Sequence, residues 1–275
     1  SQTFTATLRN AWNVPVNGLP TLANSSAIIA RLQSIGRQNL WPGFVSNSPY
    51  GFPFRVVGPG QPAVPIRYTA YAAESDPGPF PIPLDAPIEN GSTDHHVIVL
   101  QTGTCRLFEL WDAAREGGGW RAGTGATFDL TSNALRPDGW TAADAAGLPI
   151  LPGLVRCADI EAGVIAHPIR VTFTQTRRAY VHPATHVGTN ADPDLPAMGA
   201  RLRLKASFDT SRFTGQSRII VEALKTYGLI VSDNGPNWSM SGELADCWDN
   251  ANLDQIRTGL TGWDFEVVDT GAIHT

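Results

Sequence analysis

Residues 94–112 read DHHVIVLQTGTCRLFELWD, an apolar run, a break at Thr102-Gly103, and a second run that mixes apolar and charged residues. Two such runs around a glycine-containing break predict a β-hairpin. With a two-residue loop, His96 faces Glu109 and Asp94 faces Trp111. A three-residue loop shifts the register by one and brings His95 opposite Glu109 instead. Either register puts one imidazole and one carboxylate on a common face, with Asp94 or Trp111 at its edge.

Outward from the hairpin, the chain of 275 residues is long enough for one large core, and we expect a single domain over 1–275, residues 1–48 forming a helical and extended cover. Hydrophobic residues make up 42% and charged residues 16%, a balance that excludes a disordered chain. The 27 Gly and 21 Pro fall between short apolar runs, which points to many strands joined by loops. Two segments carry helical periodicity: 25–36, with Ile28, Ile29, Leu32 and Ile35 on one stripe, and 216–227, closed by Gly228. In 198–208, Leu202 and Leu204 alternate with Arg201, Arg203 and Lys205, the pattern of a strand with one wet face. The proline-rich run 77–87 cannot join a sheet interior and is expected to pack over a sheet edge. The predicted fold class is all-β, a two-sheet jelly-roll-like sandwich with two or three peripheral helices.

A net charge of -5 without a basic stripe argues against nucleic acid. No run approaches the ~20 apolar residues of a membrane span. The start SQTFTATLRN has no signal-peptide pattern, which leaves a mature secreted product open. Of three cysteines, Cys105 sits in the hairpin as a small core residue, which leaves Cys157 and Cys247 as the expected disulfide. That pairing fits a secreted location, extracellular or periplasmic. Their spacing is not that of a zinc site, and neither a Gly-x-Ser-x-Gly elbow nor a phosphate-binding loop is present.

The stretches DHHVIVLQTGTCRLFELWDA, ALRPDGWTAADAAGLPILPGLVR, AHPIRVTF, PAMGARLRLKASFD and ALKTYGLIVSDNG resemble a widespread family of secreted, largely uncharacterised bacterial β-sandwich proteins. The resemblance spans roughly 49–269. It singles out Asp94, His96, Glu109, Asp144, His167, Arg170 and His186, leaves His95 incidental, and implies no particular activity.

Three chemistries suit these residues. Two neighbouring carboxylates with divided roles, one protonated and one ionised, cleave glycosidic bonds, so Glu109 with Asp94 or Asp144, oriented by His96, forms the expected catalytic set. Eight tryptophans supply flat faces for sugar rings, and Trp111, Trp120 and Trp140 lie in or beside this region. With Trp111 and Trp140, we expect Arg136, His167, Arg170 and His186 to contact substrate. The leading expectation is therefore a secreted glycoside hydrolase acting on a polysaccharide or oligosaccharide, with no metal and no cofactor. A non-catalytic glycan-binding or surface protein is the second reading, and a metalloenzyme using His96, His167 and His186 the third. Against all three stands a buried polar network around Arg136 or Arg170 that only satisfies strand ends. The pair in HPATH, His182 and His186, resembles metal ligands, but Pro183 denies it a helical face.

Overall fold

The computed structural model describes residues 10–275 except 47, 49 and 92. Residues 1–9, read above for a signal-peptide pattern, lie outside the described residues. The chain is β-rich, as expected. Its strands divide among four hydrogen-bonded sheets, of six, four, three and three strands, where the sequence led us to expect two. Four α-helices are present among the described residues, Ser25–Gln33, Cys157–Glu161, Gly215–Thr226 and Asn250–Gly259.

The hairpin forms from Val97–Gln101 and Arg106–Trp111. Its register pairs Ile98 with Glu109 and Leu100 with Leu107. The turn is therefore residues 102–105, longer than either loop considered from sequence. Its geometry rests on Gly103 and Cys105, both with positive φ (84° and 51°); a cysteine in that conformation carries no signal in the sequence. The register moves by two from the two-residue prediction, so every side chain keeps its face while His96 moves away from the position opposite Glu109. Thr124–Asp129 adds to one edge antiparallel and Arg55–Val57 to the other in parallel.

The two faces of this four-stranded sheet differ. Val97, Val99, Phe108 and Leu110 pack against Phe80, Ile82 and Trp120, so the proline-rich run buries apolar side chains over the sheet. Trp120 is fully enclosed there and is core. On the other face, Ile98 and Leu107 pack against Phe52, Ile150, Leu151 and Leu154.

The second half of the molecule is the six-stranded mixed sheet. Ile169–Phe173 lies at its centre, parallel to Leu229–Asn234 and antiparallel to Ser239–Met240. Next to Leu229–Asn234 come Arg201–Leu204 and then Phe265–Val268, both antiparallel. Helix Ser25–Gln33 buries Ile28, Ile29 and Leu32, and helix Gly215–Thr226 buries Ile220, Val221 and Leu224. The latter ends at Gly228, whose φ is +70° and where an added Cβ would lie 2.3 Å from the Leu202 carbonyl oxygen.

The predicted wet face of Arg201–Leu204 is not wet, since all four residues are buried. Arg201 donates to the Ala11 carbonyl at 2.9 Å and Arg203 pairs with Glu266 at 2.9 Å. The N-terminal segment covers this face, and burial pushes the Arg201 guanidinium down to about 9. Cys157 and Cys247 are joined, tying the helix Cys157–Glu161 to the segment before Asn250–Gly259 across 90 residues of chain. No helix among the described residues is long and apolar enough to cross a membrane.

Candidate functional site

Between the two large sheets runs the connection 131–156, and its Asp144 is the hub of a buried polar cluster. The aspartate is fully enclosed. Its Oδ1 accepts from the Ala146 amide at 3.1 Å and its Oδ2 from Arg170 Nε at 2.6 Å. Gly147 sustains this tight loop, because its φ is +76° and a Cβ there would meet Thr185 Oγ1 at 2.2 Å. Arg170 comes from the central strand of the six-stranded sheet and spends its other nitrogens on Ser241 Oγ at 2.9 Å and Asp233 at 3.2 Å. The Phe52 ring packs against both the Arg170 guanidinium, at 5.3 Å, and the His96 ring, at 5.3 Å.

His96 is buried just before the hairpin strand. Its Nδ1 lies 2.5 Å from Glu89 Oε2 and its Nε2 3.0 Å from the Ala143 carbonyl oxygen. Both partners are acceptors, so both ring nitrogens donate and the charged imidazolium is the form that satisfies the site. Burial works against that charge, but the hydrogen bond and charge of Glu89 outweigh it and raise the imidazole above its ordinary range.

Glu109 is fully enclosed. It accepts from the Ile150 amide with both oxygens, at 3.0 and 2.9 Å, and from the Leu151 amide at 3.0 Å. Burial pushes this carboxyl up to about 7; the two amides pull it down, and Asp144 pushes it further up. Burial also raises Asp144, against the pull of Arg170, and takes Asp233 up to about 6 with help from the Asp144 charge. Such values suit proton transfer, yet Glu109 and Asp144 have their oxygens occupied and no exposure.

The remaining expected residues stand elsewhere. Asp94 accepts from Trp111 Nε1 at 3.1 Å, at the half-exposed mouth of the hairpin. Arg136 is buried between the Phe128 and Trp140 rings, paired to Asp76 at 2.6 Å and donating to the Glu74 and Thr141 carbonyls. His167 faces Asp159 at 3.4 Å, and His186 contacts the Ala145 carbonyl oxygen at 3.1 Å. His96, His167 and His186 thus each meet a different local partner and do not form a ligand set, which removes the trio proposed for a metalloenzyme. Asp144, His96 and Arg170 do come together, with Glu109 within electrostatic reach. Glu89, Asp233 and Ser241 belong to the same cluster and were missed. Neither Asp233 nor Glu89 carries a pattern in the sequence that marks it for this cluster.

A groove of about 1130 Å³ opens on the Glu109 face of the hairpin sheet, farther along the strands. Phe54, Val56, Leu100, Phe128 and Leu130 line its sheet side, and Trp12 lines it from the N-terminal segment. Gln101, Asp129, Asn133 and Arg156 add polar groups. The loop whose Leu148, Pro149 and Pro152 also line the groove turns its Ile150 and Leu151 amides onto Glu109. That loop separates the carboxyl from the groove. Of the residues expected to touch substrate, Arg136 and His167 line it; Trp111, Trp140, Arg170 and His186 do not.

No family model matches the chain, and neither the curated proteins nor the solved structures contain a match to it.

Proposed function

We propose that this protein is a non-catalytic binding protein, secreted, whose groove holds a segment of a glycan chain. The observation that carries this reading is the separation of the two candidate features. The large groove has an aromatic and aliphatic floor and a polar rim, while Glu109, Asp144 and Asp94 do not line it. A pocket of mostly apolar walls with a few placed polar groups is the usual form of a ligand site. Sugar rings use both parts, stacking their C–H faces on rings such as Trp12, Phe54 and Phe128 and offering hydroxyls to amides and carboxylates. The disulfide Cys157–Cys247 supports an oxidising compartment. Architecture lends no weight, because β-rich folds host enzymes and binding modules alike.

The hydrolase reading keeps one specific support, the Glu109 carboxyl pushed up to about 7 by burial, where a general acid operates. Against it stand the three amide hydrogen bonds that occupy Glu109 and the loop that covers it.

A glycan array run beside a lipid and detergent panel tests the proposal. We expect saturable binding of one glycan class without product, lost in Val56→Arg and Leu135→Arg. Both residues line the groove and are exposed, at 50% and 45%, so the substitutions leave the core intact. Binding only of acyl or sterol-like probes would overturn the glycan assignment, and cleavage of the bound glycan would restore the hydrolase reading.

A further inference from the structure

Outside the buried cluster, three potential metal ligands meet at the surface. One ligand atom from each of Asp138, His182 and His274 lies within 4.8 Å of the other two. His182 Nε2 is 2.8 Å from Asp138 Oδ1, and the two imidazole centroids are 4.4 Å apart. We propose that these residues form a binding site for a divalent transition-metal ion.

Donor chemistry supports the class of ion. Two imidazoles and a carboxylate suit zinc and its neighbours, whereas calcium and magnesium prefer oxygen alone. Bonds of about 2.0–2.2 Å place ligand atoms of a tetrahedral ion roughly 3.3–3.5 Å apart. The Asp138–His182 contact therefore opens by about half an ångström, and the two contacts to His274, within 4.8 Å, change by no more than about 1.5 Å, within reach of side-chain motion.

Backbone contacts assemble the three residues without help from an ion. His274 belongs to the strand Ile273–His274, which pairs antiparallel with Arg177–Val181, Tyr180 opposite His274 and Val181 opposite Ile273. That register sets His274 beside His182, which directly follows the strand. Asp138 is delivered by the connection 131–156, pinned where the Gly139 amide donates to the Thr185 carbonyl at 2.7 Å and Thr185 Oγ1 to the Trp140 carbonyl at 2.8 Å. Tyr180 orients one of the ligands, its ring stacking on His274 at 5.0 Å and 14°. Outer partners of this kind hold first ligands in the binding rotamer.

The site is open. The side chains of His182 and Asp138 are 39% and 55% exposed, which leaves coordination positions for water or a ligand oxygen. Arg136 and Pro183, close to Asp138 and His182 in the chain, line the groove, so the ion would stand at its rim. The metal proposal does not depend on what the groove binds.

The test is titration of chelator-treated full-length protein with zinc chloride by calorimetry, and with cobalt(II) by visible absorption. We expect one zinc per chain and cobalt d–d bands. His182→Ala and His274→Ala should each weaken binding by more than the roughly 10–100-fold that loss of an outer partner costs. Circular dichroism checks that each variant is folded, and His182→Gln and His274→Gln replace any alanine variant that is not. Absence of saturable binding at millimolar zinc would overturn the site. So would one-to-one binding that survives loss of both histidines.

Discussion

The molecule holds two histidine–carboxylate clusters that sequence alone would rank alike, and they differ in what surrounds them. Around His96, both ring nitrogens have acceptors, Glu89 and the Ala143 carbonyl, and the neighbouring Asp144, Arg170 and Asp233 satisfy one another. Around His182, the side chains reach water and keep open positions. Buried charges survive only when paired, and pairing uses up the lone pairs and protons that chemistry would need. Perturbed proton affinity therefore marks the buried cluster as the junction of the two sheets. Accessibility marks the exposed one as a place where something can bind.

The contrast breaks most sharply at Arg170. Removing it by Arg170→Ala leaves Asp144 and Asp233 as unpaired carboxylates at the sheet junction. Breaking a buried pair from one side costs about 3–5 kcal/mol. Urea denaturation should show that loss as a lower midpoint with an unchanged slope. A loss under about 1 kcal/mol would mean that water reaches the cluster and that it resembles an exposed ion pair.

The next effect comes from Glu109 and depends on pH. Its folded value, about 7, lies above the ordinary 4.5, so the folded chain holds a proton that the unfolded chain has released. Stability from this group is complete below 4.5 and is lost as pH rises toward 7. Asp233, raised from 3.8 to about 6, and the raised His96 act in the same direction. We therefore expect the wild type to be more stable at pH 5 than at pH 8. Glu109→Gln forfeits part of the hydrogen bonding to Ile150 and Leu151, a cost of about 1–3 kcal/mol at pH 5. The cost should shrink by pH 8, since glutamine has no charge to bury. Denaturation curves of both proteins at the two pH values decide this; a cost that stays constant would mean that Glu109 is ionised throughout.

Local signals made much of this legible in the sequence. The alternation in 94–112 revealed the hairpin and its faces, the 3.6-residue stripes revealed helices Ser25–Gln33 and Gly215–Thr226, and the separation of Cys105 from its fellows revealed the disulfide. Long-range pairings carried no such mark. The parallel contact of Ile169–Phe173 with Leu229–Asn234 joins segments about sixty residues apart, and it is what brings Arg170 to Asp233. Arg201 and Arg203 read as solvent-facing because nothing local says that the N-terminal segment covers them. Helix Asn250–Gly259 was missed although Asp249 caps it by accepting from the Asn252 amide at 3.0 Å, for its apolar stripe is reduced to Leu253 and Ile256. Asp144 and Arg170 entered as functional candidates through the family resemblance and His96 through its place in the hairpin, all of them charged or titratable residues among apolar neighbours. That pattern reports burial as readily as catalysis, and only the partners tell the two apart.

The smallest effect is expected at the exposed cluster, and it is the one that sharpens the comparison. His182→Ala removes an imidazole with a 39% exposed side chain, whose partner Asp138 is 55% exposed. Surface pairs of this kind contribute little in water, so in metal-free buffer the variant should melt with the wild type. Adding zinc separates them. A ligand that binds only the folded state raises the melting temperature with its concentration, so zinc should stabilise the wild type and leave His182→Ala unmoved. The corresponding change inside, His96→Ala, removes a side chain that satisfies both Glu89 and the Ala143 carbonyl. It should lower the melting temperature in either buffer. If His182→Ala instead destabilises the metal-free protein as much as His96→Ala does, the exposed cluster is structural too, and the distinction between the two sites fails.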